Sequence, residues 1–219
     1  MKSIFFFLIF SLSLFAIDVS DFDINGIKLG MNVQEAFEKM PCANPDKHND
    51  KLSNGKIASM YSRCLDDKGD VVFLVESNHN GLLHRITKRI TFKVKPNFQK
   101  IKNKLWQKYG KADIVTKFGP GYINKLFKGY IKEFCWGKSC TIKQEDGKYF
   151  EGNTIVSSSE NNIHFHIEYR DGTFDGEIKN YIKFSFYNPK MQMLDYEWKE
   201  KEDLIYQKQQ KEKASNIDF

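Results

Sequence analysis

Past its first sixteen residues the chain has no long apolar run, so nothing there approaches the ~20 apolar residues of a membrane-spanning helix. It has no G-x-S-x-G turn, no H-E-x-x-H pair and no phosphate-cradling glycine loop. The motif grounds for a serine hydrolase, a zinc protease or a P-loop enzyme are therefore missing. Cysteine is scarce: only Cys42, Cys64, Cys135 and Cys140, none spaced C-x-x-C. Thioredoxin-type exchange has no motif to work with, and a zinc site lacks the close ligand pairs it needs. Acids are almost absent from one long stretch. From Arg85 to Lys132 stand 14 Lys/Arg against Asp113 alone, a local net of +13 within a chain whose net charge is +6; the remainder is net negative.

What is present begins with MKSIFFFLIFSLSLFA. Lys2 supplies a positive start, Ile4 to Phe10 and the Leu/Ser/Phe run after it an apolar segment, and Ser13 and Ala16 small residues before a cut near Ala16, the pattern of an export signal. Removing residues 1–16 leaves about 203 residues, enough for one substantial core or two small ones. Aromatics at 15%, with 19 Phe and 10 Tyr, provide material for sheet cores. A periplasmic or secreted address turns four cysteines into two expected disulfides. Three pairings are open. The sequence-local one, Cys42–Cys64 and Cys135–Cys140, is preferred because it places one bridge in each half of the chain, with loop-entropy contributions of roughly 3 and about 2 kcal/mol.

Along the chain, Asn32 caps a helix whose apolar residues Val33, Ala36, Phe37 and Met40 share one stripe, with Glu35 placed for a capping box and Pro41 as the stop. A second helix follows Pro96, with Phe98, Ile101, Leu105 and Tyr109 on one face and Gly110 at its end. Strand patterns follow each helix: 57–63, 71–77 and 82–93 after the first, and 129–136, 148–156, 163–169 and 178–187 after the second. Asn78 to Gly81 and Arg170-Asp171-Gly172 read as turns. The expected fold is α+β in two tandem helix-plus-antiparallel-sheet halves, 17–95 and 96–196. A charged tail, 197–219, is expected as a terminal helix that frays.

The segment GIKLGM at Gly26–Met31, running straight into a helix, resembles the helix-start signature of small exported bacterial α+β modules. Such a start is similar to that of the outer-membrane assembly lipoprotein family (SmpA/BamE), whose fold the β-lactamase-inhibitor-protein fold resembles. LWQKYGKAD at Leu105–Asp113 is similar to the second-helix ending of periplasmic proteins with this build. The inhibitor-protein resemblance implies two tandem repeats, a disulfide in each, and protein binding on the sheet surface. Ile17, not cysteine, directly follows Ala16, so the lipid anchor of the lipoprotein family is not implied, and no functional residues carry over.

Candidate chemistry is sparse. His164, His166 and Glu168 alternate on one strand and so share a face, but a metal site needs a further placed ligand and an oriented outer shell. Ser157 to Ser159 lie in a polar stretch with no partner pattern for nucleophilic catalysis. No metal or other cofactor is expected, and no enzymatic activity. The basic band is the better candidate. Arg85, Thr87, Arg89, Thr91 and Lys93 share one strand face, with Ile86, Ile90 and Phe92 on the other. Next in sequence, KFGPGYINKLFKGY reads as a glycine-rich loop that interleaves Lys117, Phe118, Tyr122, Lys125, Phe127 and Tyr130, a composition suited to a protein-binding hot spot. The sequence thus points to an exported binding or inhibitory module that recognises an acidic protein partner through the cationic sheet face and the aromatic loop. The alternatives are a peripheral envelope factor on anionic lipid or lipopolysaccharide and an envelope hydrolase with an unidentified site. Export argues against nucleic acid.

Overall fold

The structure, a computed structural model, describes residues 18–118, 127–137, 140–144, 153–157, 163–174, 177–178 and 180–215. The proposed signal, Tyr122 and Lys125 lie outside them. A short 3-10 turn, Val19–Asp21, capped by the Asp18 side chain, leads to a tight turn bridging Ile24 and Ile27. Asn25 and Gly26 take φ +60° and +75° there, the left-handed pair that a two-residue hairpin turn requires. Helix α1 (Val33–Glu38) follows, then β1 (Asp46–Lys51), β2 (Ile57–Leu65), β3 (Val71–Ser77) and β4 (Leu83–Phe92). Helix α2 (Phe98–Tyr109) precedes β5 (Ile114–Phe118), β6 (Phe127–Trp136), β7 (Cys140–Gln144), β8 (Asn153–Ser157), β9 (His164–Phe174), β10 (Glu177–Ile178) and β11 (Asn180–Tyr187). The long helix α3 (Pro189–Ser215) ends the described chain.

The fold is α+β around an antiparallel sheet ordered β1-β2-β3-β4-β11-β9-β6-β5, with β10 pairing β9 and a separate β7-β8 hairpin. The run after α1 meets the run after α2 along β4 and β11, in register from Asn180 opposite Phe92 to Tyr187 opposite Arg85. Strand alternation sends Phe73, Val75, Ile86, Phe134, Trp136, Phe165, Ile167, Tyr169, Ile182 and Phe186 to one face. There they pack with Val33 and Ala36 of α1, Leu105 and Tyr109 of α2, and Phe22, Ile24 and Ile27 of the entering segment. The fully buried Phe165 is the hub: the rings of Phe22, Tyr109, Trp136 and Phe186 lie with centroids 4.6 to 5.7 Å from its own.

Both disulfides form in the sequence-local pairing, Cys42–Cys64 and Cys135–Cys140. They sit on opposite faces of the sheet. Cys64 pairs across to Phe73 on the helix-covered face, whereas Cys135 pairs across to His166 on the other.

Several local expectations change. Asn32 caps α1 through the Gln34 N–H, but no capping box forms, because the Glu35 carboxylate is taken by Lys39 one turn on, at 2.6 Å. Arg170-Asp171-Gly172 does not turn: β9 runs through it, since Gly172 pairs with Gly129 and donates its N–H to the Asn180 side chain. Strand β1, DKHNDK, has no apolar pattern at all. It exists because β2 offers it a hydrogen-bonding edge, and its charges suit an edge strand that must not recruit another chain.

The charged tail expected from 197 is the continuation of α3, which begins at Pro189 and runs past the turns of the first half. Asp195, 3% exposed, accepts from the His79 backbone N–H at 2.9 Å. It also lies 2.7 Å from His79 Nδ1 and 2.8 Å from Lys199 Nζ. Trp198 stacks on the His79 ring at 4.0 Å, and Glu202 reaches Lys56 and Asn54 in the β1–β2 turn. Burial alone would raise the Asp195 pKa, but hydrogen bonds from Lys199 and His79 outweigh it and hold the carboxyl below its ordinary 3.8. Nearby His84 is held below its ordinary 6.5 by burial. Both shifts act in one direction. Protonating His84 favours unfolding as pH drops below 6.5, and the Asp195 contribution is lost as pH falls through 3.8 and below. Urea titrations should therefore show stability declining from pH 6.5 downward. Asp195→Asn should cost about 2 kcal/mol at pH 7 and flatten the segment below pH 4; a variant with an unchanged acid limb would remove Asp195 as the anchor of α3.

Candidate functional site: the polar face of the sheet

All the buried sheet residues of the core cluster come from the helix-covered face. The opposite face is polar over β4, β11 and β9, which build its centre, while Ile131 and Cys135 of β6 are buried on it. Register places Arg85 opposite Tyr187, Thr87 opposite Ser185, Arg89 opposite Lys183 and Thr91 opposite Tyr181. On the next strand Tyr187 faces His164, Ser185 faces His166, Lys183 faces Glu168 and Tyr181 faces Arg170. Two tyrosines and four cations thus crowd one patch.

The charges are largely matched. Arg85 lies 3.6 Å from Glu76, and Arg89 lies 3.1 Å from Asp70 and 3.9 Å from Asp66, both in the β2–β3 turn. Glu168 accepts from the Tyr181 hydroxyl at 2.7 Å and pairs with Arg170 at 3.0 Å. Burial, with the Glu168 charge next, pushes the Tyr181 hydroxyl pKa far up, so it remains a donor. His166 Nε2 lies 3.9 Å from Glu133. Lys183 has no acidic partner within ion-pair distance among the described residues. It also stands directly across from Arg89, a like-charge pairing that destabilises a sheet.

The sequence-predicted residues divide between two places. Arg85 and Arg89 lie on this face, and Lys93 follows β4 by one residue, exposed. The segment expected as an aromatic loop is strand at both ends: Lys117 and Phe118 are in β5, opposite Lys132 and Ile131, and Phe127 opens β6 opposite Phe174, because both ends pair into the sheet. Although adjacent in sequence to β4, β5 is the far edge, four strand spacings away, or about 19 Å. Arg85 and Lys117 therefore do not form one compact patch. Of the His/Glu triplet, Glu168 is committed to Arg170 and Tyr181, and no group of three metal-ligating side chains gathers among the described residues.

Sequence reasoning missed Tyr181, Lys183, Tyr187 and Arg170, because only the pairing of β11 and β9 with β4 brings them beside Arg85 and Arg89. The signal that could have found them is the alternation of β11, whose outward phase is Tyr181, Lys183, Ser185 and Tyr187. The sheet also splits the basic band. The arginines of β4 lie on the polar face among carboxylates, while Lys100, Lys102, Lys104 and Lys108 belong to α2 on the other side. Among the described residues no helix is long and apolar enough to cross a membrane.

Comparison with protein-family models, curated proteins and solved structures finds no match for this chain.

Proposed function

We propose that the chain is an exported binding or inhibitory module that docks an acidic protein partner on the polar face of its sheet. The observation that carries this reading is the β4–β11–β9 patch: Tyr181, Tyr187, Arg85, Arg89, Arg170 and Lys183 on one rigid surface. Tyrosine and arginine dominate binding hot spots because they add large contact area and directed hydrogen bonds at little entropic cost. Lys183, with no acidic partner among the described residues and Arg89 directly across from it, is the cation that a partner's carboxylate would relieve. Two disulfides support an oxidising, exported address.

The fold is read as two tandem halves resembling the β-lactamase-inhibitor-protein arrangement. The support is the order of elements: α1 then β1 to β4, and α2 then β5, β6, β9 and β11, each a sequential meander, joined at their last strands. The β7-β8 hairpin and β10 are then additions to the second half.

A second reading, a peripheral factor on anionic lipid or lipopolysaccharide, draws on the lysines of α2, whose only close acid among the described residues is Asp23 beside Lys108 at 3.4 Å. Co-sedimentation with anionic vesicles across a salt series separates the two, since headgroup attraction falls steeply with ionic strength. For the docking reading, a photo-crosslinking residue in place of Lys183 should capture a discrete acidic protein from envelope extract, whereas one in place of Lys102 on α2 should not.

A further inference from the structure

Lys88 stands where the fold calls for an apolar side chain. On β4 it is in phase with Ile86 and Ile90, and register sets it between Phe73 of β3 and Phe184 of β11 on the helix-covered face. Its ammonium donates to Asn25 Oδ1 at 2.7 Å, and Asn25 is the one non-glycine residue with positive φ among the described residues. Across from it, Lys104 and Lys108 project from successive turns of α2. Together these groups rim a pocket of about 230 Å³ whose remaining lining is Ile24, Leu105, Tyr109 and Phe184. Ile24, Leu105 and Tyr109 are buried, so the floor is apolar and the rim carries three cations. None of the lining residues is acidic. Asp23, just outside, is shared between Lys108 and the Gly26 N–H.

This arrangement opposes stability in two ways. Like charges four apart on a helix, as Lys104 and Lys108 are, repel. A half-buried ammonium between phenylalanines gives up hydration, and burial, with the Lys108 charge added, pushes the Lys88 pKa down. An anion seated among the three ammoniums would reverse both effects, and the apolar floor would take a hydrocarbon body beside it. The volume is below the ~300 Å³ at which drug-sized clefts begin, which limits the ligand to a headgroup with a short apolar part.

We infer that the pocket between α2, β4 and the Ile24–Ile27 turn binds a phosphomonoester carried on a short apolar body, held by Lys88, Lys104 and Lys108. The site lies on the opposite side of the sheet from the docking patch and does not depend on it.

Isothermal titration of the folded protein with hexyl phosphate tests this. The expected result is one saturable site, with inorganic phosphate at least tenfold weaker because it leaves the floor unused. Lys88→Met and Lys104→Met should each weaken hexyl phosphate at least tenfold. Lys102→Met, on the same helix with its ammonium over the Trp106 ring at 4.0 Å, should leave it within twofold. Lys88→Met should unfold at or above the wild-type temperature, so its binding loss is not a folding defect; Lys104, an exposed residue, provides a second check. Competition by vesicles bearing phosphate headgroups would assign the natural ligand to a lipid surface, and its absence to a soluble phosphomonoester. No saturable binding of hexyl phosphate, equal affinity for inorganic phosphate, or equal losses in Lys102→Met and Lys88→Met would overturn the inference.

Discussion

Phe165→Ala should destabilise the protein by about 4 kcal/mol, lowering its unfolding temperature by roughly 10 °C in a chain of this size. Phe165 is fully buried in β9, and its ring touches the entering segment through Phe22, α2 through Tyr109, β6 through Trp136 and β11 through Phe186. Removing it leaves a cavity walled by four aromatic rings. Rings anchored on four separate elements cannot all collapse into one void, which places the cost toward the high end for an aromatic deletion. Denaturant unfolding followed by tryptophan fluorescence gives the number directly. A loss below about 1 kcal/mol would mean that α2 and the entering segment are not joined to the sheet through this cluster.

A similar loss, of at least about 3 kcal/mol, is expected for Gly129→Ala, for a different reason. Gly129 of β6 is paired with Gly172 of β9. A Cβ at 129 would fall far inside van der Waals contact with the Asp171 carbonyl oxygen and 2.5 Å from the Gly172 Cα. Those atoms are backbone of the neighbouring strand, so no rotamer change relieves the clash and the two strands must part. Hydrogen exchange should show early opening of the β6–β9 pair around 129–132. Gly110→Ala is the contrast. Its Cβ meets nothing within 4 Å, but its φ is +76°, so only the left-handed backbone penalises it, by about 1–2 kcal/mol. Equal effects of the two substitutions would place strain, not steric contact, behind both.

The fold was legible wherever burial follows a strict period. Ile163 to Tyr169, Ile182 to Phe186 and Phe98 to Tyr109 alternate or stagger cleanly, and each became the expected strand or helix. The elements that escaped lack any such period. Strand β1 is all polar, and its existence is decided by the free edge of β2. The turn-like Arg170-Asp171-Gly172 is overridden by long-range pairing to β6, which no local pattern encodes. Helix α3 begins eight residues earlier than its charge pattern indicates, because Asp195 and Trp198 are fixed by His79, more than a hundred residues away.

Legibility of the candidate site was partial for the same reason. The face of β4 that carries Arg85 and Arg89 followed from alternation, but its neighbours did not, since β11 pairs with β4 across the whole intervening second half of the sequence. The carboxylates that match those arginines, Glu76, Asp66 and Asp70, come from the adjacent strand β3 and the β2–β3 turn. A local count of charge therefore overstates how positive this face is. Lys88 was visible all along as a lysine in the apolar phase of Ile86 and Ile90. Its meaning appeared only once Asn25, Lys104 and Lys108 were placed around it.

The docking of an acidic protein on the polar face is tested most directly by crosslinking from three positions in turn, Lys183, Tyr187 and Lys102, in envelope extract at moderate salt. The account predicts one acidic protein captured from positions 183 and 187 and none from 102, with the yield cut at least tenfold by Arg85→Ser/Arg89→Ser in a protein that remains folded. Capture from position 102 alone, or equally from all three, would contradict it.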